Sequence, residues 1–318
     1  MNKTLSISRK YSTSRCAKSA SGALAMKVRQ AASIMDLWLL PSAAHLRGLA
    51  LPDFATLCAR ADPLEAIAPG LDAALAQAFV LQRNLPWAAL LAGTDRQSST
   101  PWLAADLIHV RAEVAGARVM ALAADQTAFD PDCLTLFEAL RPWLADEAIE
   151  IGAMHGGRAL LRCPENLGDP AVAAPDALLG CDLRDALPAD LRWQRRLNEM
   201  QIVLAQQSCN EARFARQQPT WNTLWFWAQG SADQCPDLPI KAMATTDPLL
   251  LALSKQLGIR NIDFSASSDQ PALRDLRDPR RFIQAWQSGV RPKNAILRCA
   301  DGSAWRVKPL QRWRFWRG

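Results

Sequence analysis

Histidine occurs three times and tyrosine once in 318 residues, and no stretch of the chain carries a ready-made catalytic signature. There is no G-x-S-x-G elbow, no phosphate-cradling Walker sequence and no G-x-G-x-x-G. Chemistries that announce themselves by local spacing are therefore excluded. No uninterrupted apolar run approaches the roughly 18 to 20 residues that cross a bilayer, so a spanning helix is not expected. Eight cysteines (Cys16, Cys58, Cys133, Cys163, Cys181, Cys209, Cys235, Cys299) show no C-x-x-C spacing. With no secretory leader expected ahead of them, they read as reduced, mostly buried thiols of a bacterial-type cytoplasm.

What is present is a globular composition, 49% apolar and 21% charged, able to bury a sizeable core. The formal charge of +6 suggests nucleic acid until it is divided by position. Residues 1–35 hold seven Lys or Arg and no acid, leaving 30 bases against 31 acids in the remainder. Five more bases lie between Arg306 and Arg317, so the middle of the chain is net acidic. Electrostatic attraction belongs to the two termini and not to a basic folded face.

Residues 1–34 are Ser-rich and basic, and are expected to be disordered. They resemble a mitochondrial transit peptide in composition, or reflect a translation start placed too far upstream, since Met26 and Met35 both precede the first strand-like run at 36–40. Beyond them the pattern predicts an N-terminal α/β half over 35–163, a Pro/Asp/Ala-rich connection over 164–189, a C-terminal α/β half over 190–309, and a basic aromatic tail over 310–318. Alternation at 107–114, a turn at Ala115-Gly116 and a return at 118–123 predict a hairpin. A second is expected at 148–154 and 158–163 across His155-Gly156-Gly157, and a third at 295–299 and 304–308 across Asp301-Gly302. Asp130-Pro131 opens a helix. Asp190 caps another through Gln206, with Trp193, Leu197, Met200 and Leu204 as its buried stripe. Ser208-Cys-Asn-Glu211 has capping-box spacing. Further helices are expected at 71–81, 247–256 and 276–286, and a strand at 259–264. Residues 221–227 read as a strand with large apolar groups on both faces, hence a covered, interior one. The class is α/β, a mixed sheet with antiparallel hairpins and packed helices.

Asp106 and His109 are close in sequence, but three apart in a strand they point to opposite faces and should not meet. His155 is expected at a loop tip. The twelve tryptophans fall mostly at stripe or strand positions and read as core. The tail is the exception, where Arg312, Trp313, Arg314 and Trp316 interleave bases with aromatics. Such a segment can touch an anionic membrane surface or single-stranded nucleic acid, or dock on its own domain; docking is the expectation.

At 197–204, Leu-Asn-Glu-Met-Gln-Ile-Val-Leu, followed by Asn210-Glu-Ala-Arg213 and Pro219-Thr-Trp-Asn-Thr-Leu-Trp-Phe-Trp227, the sequence resembles the RpfE-type regulatory protein family, whose members are often labelled cofactor-independent phosphoglycerate mutases. A shorter stretch around Asn210, Arg213, Asn222 and Asp247-Pro-Leu-Leu250 is similar to archaeal-type phosphoglycerate mutases. That second resemblance implies two divalent metals held by Asp and His and a Ser or Thr nucleophile. The sequence departs from it: it has no Asp-His dipeptide and no Asp-x-x-x-His. What stands out physically is a polar set of Asn198, Gln201, Asn210, Arg213 and Asn222, able to hold a carboxylate or phosphate, or instead to satisfy buried backbone groups at a helix-helix-strand junction. The reading is a cytoplasmic, non-catalytic regulatory or ligand-binding protein with no cofactor or metal, acting through a protein partner or a small anionic ligand. The alternative is a phosphoglycerate mutase-like phosphoryl-transfer enzyme.

Overall fold

The computed structural model describes residues 35–314 except 50, 115, 126–129 and 267. The expectations for residues 1–34 and for Trp316 lie outside the described residues. The chain opens with β1 (Asp36–Leu40), an apolar run, then α1 (Ala43–Gly48), α2 (Pro52–Arg60), β2 (Asp62–Leu64), α3 (Leu71–Phe79) and α4 (Trp87–Leu91). The long β3 (Trp102–Glu113) and β4 (Gly116–Leu122) form the first hairpin. After α5 (Pro131–Asp146) come β5 (Glu150–His155) and β6 (Arg158–Arg162), then α6 (Leu183–Ala186), α7 (Leu191–Ala205), α8 (Ser208–Ala215) and β7 (Thr223–Gly230). The remainder is β8 (Ala242–Ala244), α9 (Pro248–Leu257), β9 (Arg260–Asn261), β10 (Ala272–Asp275), α10 (Pro279–Gln287), β11 (Ala295–Cys299) and β12 (Ala304–Val307).

Three helices start from the same device. Asp130, Asp247 and Asp278 each precede a proline and accept a backbone N–H two residues on, at 3.0, 2.8 and 2.9 Å. The carboxylate satisfies an orphan donor while the proline fixes φ where no N–H is needed. The predicted box at Ser208 is not formed: Gln207 is the N-cap and makes no side-chain cap bond, its amide donating back to the Val203 carbonyl at 2.9 Å.

Two sheets result. The first has the order β2-β12-β11-β1-β10-β8-β9; β11, β1, β10, β8 and β9 run parallel, and at one edge β12 pairs antiparallel with both β11 and β2. In the second, β3 pairs with β6 over Trp102–Asp106 and with β4 over Ile108–Glu113, while β7 lies along Trp102–Ile108 and β5 pairs with β6. Both sheets draw strands from each side of 164–189, so that connection does not separate two self-contained sheets. A shared core joins Leu37, Leu39 and Leu273 of the first sheet to Leu103, Leu107 and Phe226 of the second. The opposite face of the first sheet carries Trp38, Leu40 and Leu297 against α2 and α10, where Phe54 meets Phe282 and Trp286 edge-on at 5.0 and 5.2 Å.

The mixed α/β class is as expected, and three local expectations are corrected. β7 is covered on its faces, with Trp225, Phe226 and Trp227 at most 1% exposed, yet among the described residues it pairs with β3 alone and is an edge strand flanked by α4 and α7. Alternation reports what lies on the two faces of a strand and says nothing about its hydrogen-bonding edges. The strand expected at 259–264 shrinks to β9, and the helix expected from 276 starts at Pro279 because β10 takes 272–275.

Gly302 closes the last hairpin at φ 83°, and a Cβ there would stand 1.9 Å from the Ile67 carbonyl oxygen. Gly302→Ala is expected to lower the unfolding free energy by about 2–4 kcal/mol in urea titrations, from backbone strain plus that clash. Gly258→Ala has the same handedness but open space around it, and should cost only about 1 kcal/mol.

Candidate functional site

In an open parallel sheet, side chains that leave the carboxyl ends of the strands converge on a crevice beside the central strand. Here β1 is flanked by β10 and β11, and the residues just past the ends of β8, β10 and β11 carry charge. Arg277, two residues beyond β10, donates to both oxygens of Asp275 at 2.7 and 3.0 Å and to Asp247 Oδ2 at 2.6 Å. Thr245 Oγ donates to Asp275 Oδ2 at 3.0 Å and accepts the Asp247 backbone N–H at 2.9 Å. Burial works against the charge of Arg277, but Asp275 and Asp247 outweigh it and hold the guanidinium well above its ordinary pKa. This cation is matched twice over.

Beside it opens a cavity of about 280 Å³ between the ends of β1 and β11, the start of α3 and the 176–181 segment. Arg298, the fourth residue of β11, lines it and is 3% exposed. Its Nη1 donates to the Gly302 carbonyl at 2.9 Å and the Glu65 carbonyl at 3.4 Å, and its Nη2 donates to Gln77 Oε1. No carboxylate among the described residues forms an ion pair with it, and burial draws its pKa below the usual value. Asp176 lines the same cavity, with its carboxyl pushed up by the surrounding protein even though Arg277 draws it back. On α3, Asp72 accepts the indole N–H of Trp87, and burial raises its carboxyl to about 6. Across the second sheet, Asp106 is fully buried and receives Arg158 Nε at 2.8 Å, Arg158 Nη2 at 2.7 Å and Trp227 Nε1 at 2.9 Å.

The polar set singled out from the sequence lies elsewhere, around α7, α8 and β7. Asn210 Nδ2 donates to the Leu204 and Trp221 carbonyls at 2.9 and 3.0 Å, and its Oδ1 accepts the Trp221 N–H at 2.9 Å. Asn222 does the same for Val110 of β3, accepting its N–H at 2.9 Å and donating to its carbonyl at 2.7 Å. Gln201 donates to Thr223 Oγ1 at 3.0 Å. Arg213 donates to the Pro219 carbonyl at 2.7 Å and to Asp130 and Asp132 at 2.6 and 3.0 Å, and stacks on Trp221 at 4.8 Å. Asn198 is exposed on α7, apart from these bonds. The structure thus brings four of the five together, with their polar atoms engaged by backbone and neighbouring side chains.

Asp106 and His109 have separate partners, His109 Nδ1 lying 2.8 Å from the Thr220 carbonyl, and His155 is exposed at its turn. The seven described cysteines are free thiols, four of them buried, one exposed. In the tail, Arg314 pairs with Asp62 at 2.5 Å and Gln311 Nε2 donates to the same carboxylate at 2.8 Å. Arg314 and Lys308 hold that carboxyl down to about 2. Trp313 is 61% exposed. The backbone of Arg312 lies in the last short helical turn, Pro309–Trp313.

Among the described residues no group of three or more His, Cys, Asp or Glu is placed to hold a metal ion, so this donor set does not fit a two-metal centre. Nor is any helix among them long and apolar enough to cross a membrane. No family model matches the chain, and no curated protein matches it. Among solved structures it is similar to the cofactor-independent phosphoglycerate mutase from Thermoplasma acidophilum DSM 1728, at 14% identity over 86% of this chain and 89% of that one, with a TM-score of 0.35. It is also similar to the PH0037 protein from Pyrococcus horikoshii, at 11% identity over 86% and 87%, with a TM-score of 0.43. At these low scores the chemistry rests on the crevice itself.

Two outcomes are expected. Asn222→Ala strands the Val110 N–H and carbonyl, and should cost about 2–3 kcal/mol in urea unfolding without altering anion binding at the crevice. The raised carboxyl of Asp72 means that the folded state binds more protons than the unfolded state between pH 4 and 6. Stability should therefore fall as pH rises through that window, and Asp72→Asn should flatten that part of a Tm-against-pH curve.

Proposed function

We propose that this chain is a cytoplasmic, non-catalytic regulatory protein, of the RpfE-type family it resembles in sequence, that senses a small anion at the carboxyl ends of β1, β10 and β11 and passes the signal to a protein partner. The observation that carries the reading is Arg298, a buried guanidinium on a cavity wall with no carboxylate paired to it among the described residues. A buried cation without a counter-charge is unfavourable, and an anion entering the cavity would supply the missing charge. The position supports this, because parallel sheets receive ligands beyond the carboxyl ends of their strands.

The alternative, mutase-like phosphoryl transfer, has one feature in its favour: Asp247 lies just past β8, Asp275 ends the adjacent parallel strand β10, and the two share a cation, with the Thr245 hydroxyl beside them. That cation is the side chain of Arg277, and no step of such a reaction is derived for this donor set.

Thermal unfolding in the presence of millimolar small anions tests the proposal, with chloride at equal ionic strength as the control. A ligand at 100 times its Kd stabilises by about 2.7 kcal/mol, which raises Tm by several degrees. A Tm indifferent to every anion tried would overturn the reading. Interconversion of 3- and 2-phosphoglycerate by the purified protein with manganese, accompanied by stoichiometric bound metal, would reverse the ranking in favour of the enzyme.

A further inference from the structure

We infer that the cavity beside Arg298 accepts a monocarboxylate with a compact apolar body, bound head-first on the guanidinium, and discriminates against phosphorylated polyanions. The inference rests on the anion-binding reading above and narrows it to one ligand class. Three features of the cavity carry it: its charge, the donors left on its one unmatched cation, and the chemistry of its walls.

Two arginines line the cavity and they are not equivalent. Arg277 is already held by Asp275 and Asp247, whose two negative charges exceed its own. Asp176 adds another carboxyl on the cavity wall. Among the described residues Arg298 is the arginine of this cavity with no carboxylate paired to it, and it offers one unit of charge. With Asp275, Asp247 and Asp176 set against two arginines the surroundings are already acidic in sum, so one negative charge seated directly on Arg298 is accommodated and further charges are repelled. A phosphomonoester with a carboxylate of its own would bring two or three charges into a space where Asp176 repels it.

The hydrogen-bond inventory agrees. Arg298 has five N–H donors, and three are used on the Gly302 and Glu65 carbonyls and on Gln77. Its Nε hydrogen and the second hydrogen of Nη2 have no partner among the described residues. Nε and Nη2 form one edge of the guanidinium fork, the edge that receives both oxygens of a carboxylate in a bidentate pair when Gln77 takes the Nη2 hydrogen turned away from Nε.

The remaining walls say what the rest of the ligand is. Leu39 of β1, Leu71 of α3 and Leu179 face the same space, and no Ser, Thr, Asn or Gln side chain lines it among the described residues. A polyhydroxylated ligand would lose its hydration there and find few side-chain groups to replace it, whereas a branched aliphatic or phenyl group loses nothing polar. The apolar body then lies against leucine while the carboxylate reaches the buried end.

Calorimetric titration of the full chain with isovalerate, benzoate, isovaleramide, inorganic phosphate and 3-phosphoglycerate tests this directly. The expected result is one-to-one binding of isovalerate or benzoate, with the neutral amide and both phosphates at least about tenfold weaker, the loss of one well-made charged contact. Leu179 is 44% exposed, so Leu179→Asp can add a negative charge at the cavity wall without disturbing the core or Arg298. It should weaken carboxylate binding about fivefold to tenfold while Tm without ligand stays near the parent value. Carboxylate binding that Leu179→Asp leaves unchanged would place the ligand elsewhere and overturn the inference. Phosphate or phosphoglycerate binding tighter than the carboxylates would overturn it too, leaving the broader anion-binding reading intact. Heat from none of the anions would remove both.

Discussion

A single carboxylate in the middle of β3 fixes the register on which the second sheet depends. Asp106 has no exposure, and its oxygens receive two N–H groups from Arg158 of β6 and the indole N–H of Trp227 from β7. Burying a charge is expensive unless it is paired and fully hydrogen-bonded, and this one is both. The guanidinium also stacks on the Trp227 ring at 5.0 Å, so the three groups form a closed set. A one-residue slip of either neighbour would turn its side chain to the other face and leave the carboxylate bare. The interaction thus selects one pairing for three strands, and the flush apolar face that results, Leu103 and Leu107 included, is what the first sheet packs against.

The first sheet uses its charges differently. At the ends of β8 and β10 the acids are spent on Arg277 and on the start of α9, which makes the carboxyl edge there rigid and electrically closed. One strand interval further, beyond β1, the same edge is open and its cation is held by carbonyls and an amide. Backbone dipoles fix the orientation of a guanidinium without cancelling its charge, so it keeps its attraction for an anion arriving from solvent. The asymmetry between a half-buried arginine matched by carboxylates and a buried one held by carbonyls gives the crevice a direction.

Local signals were the legible ones. The Asp-Pro starts at Asp130 and Asp247, the stripe of Trp193, Leu197, Met200 and Leu204, and the turn at Asp301-Gly302 each fall within one element or one hairpin, and each is found where the spacing puts it. β8 and β10 were invisible because three or four residues buried on both faces carry no alternation. The polar set around α8 was legible as a cluster but not in its partners: spacing places Asn210 and Asn222 near one another, and only the fold brings the backbone groups of Trp221 and Val110 against their amides. The crevice was missed for a related reason. Asp176, Asp247, Asp275, Arg277 and Arg298 are scattered over the second half of the chain, and parallel pairing alone gathers them. A weak signal existed in the acids that stand one to three residues after short apolar runs, at Asp247 and Asp275, since that is where strands of a parallel sheet hand over to helices.

The place of β1 bears on how the protein is made. Its five residues form the first strand among the described residues, yet both strands that bond to it, β10 and β11, come from the last fifty residues of the chain. During synthesis Leu37, Trp38, Leu39 and Leu40 leave the ribosome with neither neighbour in existence. The nascent chain must carry this sticky segment, unpaired, through the translation of more than two hundred codons. Early termination therefore does not yield a smaller folded protein; it yields an aggregation-prone fragment dependent on chaperones.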